Sequence, residues 1–268
     1  PCFARRRRAC PLPKSRNDPV LQIHCIFHVC SGKYMVPLPV YNTLLGGAGI
    51  RYISSDTNGK YAFTLAADEE AVGYMEKIVA DNARYPNLFF NTASLVYDIT
   101  PEGLFENGQA LFHVQGMPHT IEQLREMEDD FGILPLSKRD AAQSRYYAST
   151  YGATVCGLPR TLSTERFNNI GILLEEITRL TYTDIVPQYK EVLLKSKYSR
   201  DTGSANMLDT VFDNLFFDPG IVLWSGSLSD KIVQNIFMKN STAVVSYLTS
   251  IAPVAEELIA DFDVALEG

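Results

Sequence analysis

Residues 105–116, FENGQALFHVQG, followed by LREMEDDFGILPLSK at 124–138 and QSRYYASTYGATVCGLP at 143–159, decide how this chain reads. The first piece turns over Leu104 to Gly108 and enters ALFHVQ at 110–115, a short apolar run bounded by glycines, as a buried strand requires. Ile121 to Met127 has the spacing of a short amphipathic helix. Gly132 to Leu136 predicts a second strand and Ala153 to Leu158 a third.

Outward from this stretch the helices are easier to see. FTLAADEEAVGYMEKIVADNARYP at 63–86 predicts a helix that Asp68 caps and Pro86 stops. Glu69 and Glu70 suit the positive end of its dipole, and Ala71, Met75, Ile78 and Val79 share its apolar face. The clearest helix follows Ser163 or Thr164 as cap, with Phe167, Ile170, Leu173, Leu174, Ile177 and Leu180 at helical spacing. Asp184 to Leu194, Ser204 to Leu215, Ser229 to Met238 and Val254 to Phe262 read as further helices. Strands alternating with helices, without internal repeats or low-complexity linkers, predict an α/β protein.

The order of these pieces resembles the family 1 extracellular solute-binding proteins, the sugar-capturing components of ABC importers. The shared marks are the F-x-x-G-x-A turn of Phe105, Gly108 and Ala110, the strand ending at Gly116, the GILP strand at 132–135, Tyr151 with Gly152, and the continuation SRDTGSANMLDTVFD at 199–213. The resemblance covers roughly residues 41–268 and implies a periplasmic-binding-protein-like fold of type II, with two lobes, truncated here to mostly the carboxyl-terminal lobe. Residues 41–156 and 201–268 would form that lobe, and 157–200 would belong to the amino-terminal lobe. The chain would then cross a hinge near Tyr151 to Gly157 and again near Arg200 to Gly203, with Gly152, Gly157 and Gly203 absorbing the backbone change as the lobes close. The implied partners are a carbohydrate ligand and the permease subunits. The implied location is the extracellular face of the membrane or the periplasm, reached through a lipid anchor or signal that is not recognisable in this sequence.

Sugar capture requires an aromatic face for the C–H patch of a pyranose and polar groups for its hydroxyl edge. Trp224, the only tryptophan, follows the Pro219-Gly220 turn and opens WSGSLSDKIV, which resembles the family's helix with a ligand-stacking aromatic. The competing reading is a core tryptophan. Gly116, Met117, Pro118 and His119 form the comparable cleft turn. Met117 and Pro118 stand where the family brings an aromatic, which argues against a maltose-like specificity. His119 suits a sugar hydroxyl or, equally, a helix cap. Gln115, Tyr147 and Tyr151 complete the candidates, each with a structural alternative.

Catalysis is not indicated. Glycoside hydrolysis needs two facing carboxylates, and Glu175 and Glu176 are helix neighbours that point about 100° apart. Asp98 and Glu102 flank a loop, Cys156 lies in an apolar run without a Cys-His signature, and no G-x-S-x-G, phosphate-binding glycine loop or H-E-x-x-H occurs. No cofactor is expected. The runner-up function is a scaffold or sensor remnant of the same fold that binds nothing.

The 268 residues carry a formal charge of −7, yet residues 1–40 hold seven Lys/Arg against the single acid Asp18, leaving the remainder at about −13. An acidic body makes nucleic acid a poor partner. The first forty residues also contain Cys2, Cys10, Cys25 and Cys30 with His24 and His28, but their spacing lacks the paired C-x-x-C of structural zinc sites, so no metal is expected. Pro11 and Pro13 follow the Arg5 to Arg8 run where a signal peptide would place an apolar core. Residues 1–40 are therefore expected to be an atypical leader outside the fold, left by truncation or a misread start.

Overall fold

The computed structural model describes residues 2–5, 37–84, 105–107, 112–114, 124, 127–150, 157–191 and 202–267. It shows a mixed α/β protein that is mostly helical, with small sheets. The expected strands at 110–115 and 132–136 appear as Phe112–Val114 and Phe131–Leu134. That at 153–158 and the helix at 121–127 fall largely outside the described residues.

The first strand is β1, Cys2–Arg5, and it lies between β4, Phe112–Val114, and β5, Phe131–Leu134, antiparallel to both. Cys2–Arg5, part of the segment expected to stand outside the fold, thus pairs with the sheet. Each flanking strand presents unpaired backbone N–H and C=O groups toward the gap, and a four-residue extended segment satisfies them. Removing residues 1–5 is therefore expected to lower the melting temperature, by about 2–4 °C for each kcal/mol of ladder lost. Thermal denaturation followed by circular dichroism checks this, and an unchanged midpoint would return residues 2–5 to the status of a leader. Against this sheet, Ser204 Oγ accepts a hydrogen bond from Ile133 N–H at 2.9 Å. Phe105 packs edge-on against Phe131 at 6.3 Å between ring centroids.

The main core begins with α1, Pro37–Gly47. This helix begins four residues before residue 41, where the resemblance starts. Proline is compatible with the first turn of a helix, where backbone N–H groups have no intrahelical acceptor, so Pro37 and Pro39 open this helix rather than block it. α1 buries Tyr41 and Leu45, and the Tyr41 ring stacks on Phe237 at 4.6 Å and 12°. A short hairpin follows, β2 at Ser54–Ser55 and β3 at Tyr61–Ala62, then a single 3-10 turn at Leu65–Ala67. Next comes α2, Glu69–Arg84, capped as expected by the Asp68 carboxylate, which accepts from Ala71 N–H at 2.9 Å. Its Ala71, Met75, Ile78 and Val79 are buried in the core.

β6, Ala148–Ser149, and β7, Leu215–Phe216, pair in parallel. Between them lie α3, Thr164–Leu180, a π-turn at Thr181–Ile185, α4 at Val186–Gln188, and α5 at Thr202–Phe212. Ser163 caps α3, its Oγ accepting from Arg166 N–H. The chain closes through α6, Pro219–Val222, α7, Ser229–Ile232, a π-turn at Val233–Phe237, and α8, Val244–Glu267. α8 starts ten residues before its expected start at Val254, because Pro253 sits inside it rather than ending it. Val244, Leu248, Ile251, Ala255 and Ile259 hold both of its halves in the core, which outweighs the one backbone bond the proline removes. No helix among the described residues is long and apolar enough to cross a membrane.

Candidate functional site

In open α/β sheets, ligands gather beyond the carboxyl ends of parallel strands. Here those ends belong to β6 and β7. Thr150 ties them, donating from N–H at 3.0 Å and from Oγ1 at 3.2 Å to the Phe216 carbonyl. From β7 the chain runs through Phe217 and Asp218 into α6 and on to Trp224.

Asp218 is fully buried. Its Oδ2 accepts from Tyr52 N–H at 2.7 Å, and its Oδ1 accepts from Gly220 N–H at 2.8 Å and from Ile53 N–H at 3.3 Å. One carboxylate thus caps α6 and clamps the turn to residues 52–53. Burial pushes its pKa above the ordinary value, against the pull of the three N–H groups and the Arg51 guanidinium. The approach is close: a Cβ on Gly220 would lie 2.5 Å from Tyr52 Cβ. Sequence reading singled out Pro219-Gly220 and passed over Asp218. The missed signal was an Asp cap directly before a proline at the first helical position.

Trp224 is set by this turn, its N–H donating to the Pro219 carbonyl at 3.1 Å and its carbonyl accepting from Leu228 N–H at 2.8 Å. The indole is half-buried and stands perpendicular to Phe262 of α8, with ring centroids 5.9 Å apart at 87°. Phe262 meets Tyr61 of β3 in turn at 6.1 Å. The ring is therefore fixed along one side against the core and partly open on the other, which suits a stacking platform and also a core edge.

Tyr147 belongs to a different aromatic group. It meets Phe216 edge-on at 6.2 Å, and the Arg145 guanidinium lies 4.9 Å above its ring. Gly49, at φ 76°, presses on its other side, where a Cβ would come within 2.7 Å of Tyr147 Cε2. The Arg51 guanidinium covers Phe216 at 4.8 Å. Tyr147 is thus wedged in place, and it does not share Trp224's contacts.

The structure does not bring the remaining candidates to one place. Gln115, Met117, His119 and Tyr151 lie outside the described residues, as does Gly152. Gly157 is exposed, and a Cβ there would meet nothing within 4 Å. Gly203 is exposed in the first turn of α5, so as a pivot it would act from a helix terminus.

The polar groups beside the clamp are buried Tyr52, Asn42 and Ser229 and half-buried Asp230. Tyr52 donates to Asn42 Oδ1 at 2.7 Å, and burial, with the Asp218 and Asp230 charges, pushes its phenol pKa well up. Asn42 Nδ2, Ser229 Oγ and Asp230 Oδ1 are buried without a hydrogen-bond partner. Burial raises the Asp230 pKa. Glu176 accepts twice from the Arg179 guanidinium, which lowers its pKa. Among the described residues no group of three or more His, Cys, Asp or Glu is placed to hold a metal ion.

Comparisons of the chain with protein-family models, with curated proteins and with solved structures found no match.

Proposed function

We propose that this chain supplies the carboxyl-terminal lobe of the substrate-binding component of a bacterial carbohydrate ABC importer, holding a sugar or oligosaccharide noncovalently and delivering it to the permease. In this reading the fold is a type II two-lobe receptor, acting at the extracellular face of the membrane or in the periplasm without a cofactor or catalytic step.

The observation that supports it is topological. β6 and β7 are bonded neighbours, yet between them the chain leaves to build α3 and α4, which bury none of their residues. An excursion from one lobe into another, between two crossings, has this form. The excursion touches the body through Lys190, which pairs with Asp209 at 2.8 Å and lies over Phe212.

Trp224 would provide the sugar platform, and Gln115, Met117, His119 and Tyr151 are proposed as further sugar-binding residues. Because the chain has a single tryptophan, emission excited selectively in tryptophan rather than in the tyrosines reports on this residue alone. Titrating a panel of mono- and oligosaccharides should give a saturable change in emission for at least one of them. In a protein carrying both lobes, Trp224→Ala should weaken binding by about 1–3 kcal/mol in calorimetry while the far-ultraviolet circular dichroism is kept. Emission that no sugar alters, with unchanged affinity in the folded Trp224→Ala variant, would remove Trp224 from the site.

A further inference from the structure

The excursion carries an apolar surface that no described residue covers. At about 100° per residue, Arg166, Ile170, Leu173, Ile177 and Leu180 of α3 fall in one lengthwise strip. Their spacing alternates four and three, the seam of a coiled coil. Leu173 is 58% exposed, Ile177 50% and Leu180 40%, with Phe167 at 50% on the shoulder. The π-turn at Thr181–Ile185 then shifts the helix by about one residue. That shift carries Ile185, 60% exposed, into the strip and leaves Asp184 at its edge.

We propose that this strip binds a second copy of the chain, the two helices lying antiparallel about a twofold axis beside residue 175. The order of the residues selects this occupant. Read backwards about that point, the strip is complementary to itself: Leu173 meets Ile177 of the second copy, Ile170 meets Leu180, and Arg166 meets Asp184, each twice. Ile185 lies beside the aliphatic stem of Arg166, whose guanidinium reaches outward to Asp184. A parallel pair would instead bring Arg166 against Arg166 and Asp184 against Asp184.

Neither Arg166 nor Asp184 forms an ion pair among the described residues. Glu175 and Arg179 project from the opposite side of α3, and Glu176, on the strip's flank beside the axis, has its charge offset by the bonded Arg179. Phe167, Leu173, Ile177, Leu180 and Ile185, each 40–60% exposed, make an apolar surface of the kind that marks an interaction site.

The test is the mass of the full 268-residue chain by analytical ultracentrifugation across a wide concentration range. A dimer is expected. Ile177→Glu, at an exposed position, should give a monomer with unchanged circular dichroism and melting temperature. Arg166→Asp or Asp184→Arg alone should weaken association about tenfold or more, and the two together should restore it. A monomer at every concentration would overturn the proposal, as would association that survives Ile177→Glu or higher aggregates indifferent to both charge changes. Single charge variants that weaken association without rescue in the double variant would overturn the antiparallel pairing. Cross-links joining the strip to residues 6–36 of the same chain in a monomer would assign the face to that segment and overturn the proposal too. Sugar titration reads an independent property, so failure here leaves the proposed function standing and the reverse also holds.

Discussion

Asp218→Ala should destabilise the fold by about 4 kcal/mol. The substitution removes the acceptor for three buried N–H groups, of Tyr52, Ile53 and Gly220, at about 1–3 kcal/mol for each group left unsatisfied, and deletes the cap of α6. The close packing of Gly220 on Tyr52 leaves little room for water to enter as a substitute. Urea unfolding measures the change, with the midpoint falling and the slope kept. Asp218→Asn, which retains one acceptor oxygen, should lose less. The linkage with pH has a defined sign: burial raises the folded-state pKa of Asp218, so the fold takes up the proton more readily than the unfolded chain does. This group therefore makes the protein more stable as pH falls through its folded pKa. Exposed Asp56 and Asp140 act in the other direction. Backbone N–H bonds from Lys60 and Asn58 lower the first, and the Arg139 guanidinium lowers the second. Their contributions are present above the ordinary carboxylate pKa and lost as pH falls through their lowered values. A loss under about 1 kcal/mol for Asp218→Ala would mean the three N–H groups find other partners.

The second large effect concerns the ligand. On the two-lobe reading, this chain by itself should bind sugars only in the millimolar range, near −4 kcal/mol, where a complete receptor of the class would be expected at micromolar, near −8. Affinity in such a receptor comes from enclosing the sugar between two walls, where hydroxyls exchange water for fixed partners. On that reading Trp224 and the turn after β7 would supply part of one wall, while α3 stands out from the body with Phe167, Leu173 and Ile177 exposed. Calorimetry on the Ile177→Glu variant separates binding from self-association. A micromolar constant for any sugar would show that one wall is enough.

Legibility in the sequence followed how local the deciding interaction is. α2 and α3 were readable to within a residue or two, because Asp68 and Ser163 cap them within one turn and their apolar spacing is unbroken. α1 and the first half of α8 were not, because Pro37, Pro39 and Pro253 lower local helix preference. Tyr41 against Phe237, and Leu248 against the rest of the core, override them from far along the chain. The place of Cys2–Arg5 depends wholly on β4 and β5, so composition alone pointed away from it. At the site, Trp224 was legible as a lone aromatic after a turn. Asp218 was hidden by its distance from Tyr52, and the wedging of Tyr147 by Gly49 and Arg145 could only be seen in three dimensions.

The bonded pair β6 and β7 makes the body a host and the helices between them an insert. Thr150 and Phe216 close their hydrogen bond across 66 positions of sequence, and the entropy of closing such a loop grows only with the logarithm of its length. Doubling the insert would cost about 0.6 kcal/mol, and halving it would return as much. Evolution, or an engineer, can thus exchange α3 and α4, which bury none of their residues, for a longer helix, a sensor or a binding module at little cost in closure entropy to the host, while α5 stays with the sheet it packs on.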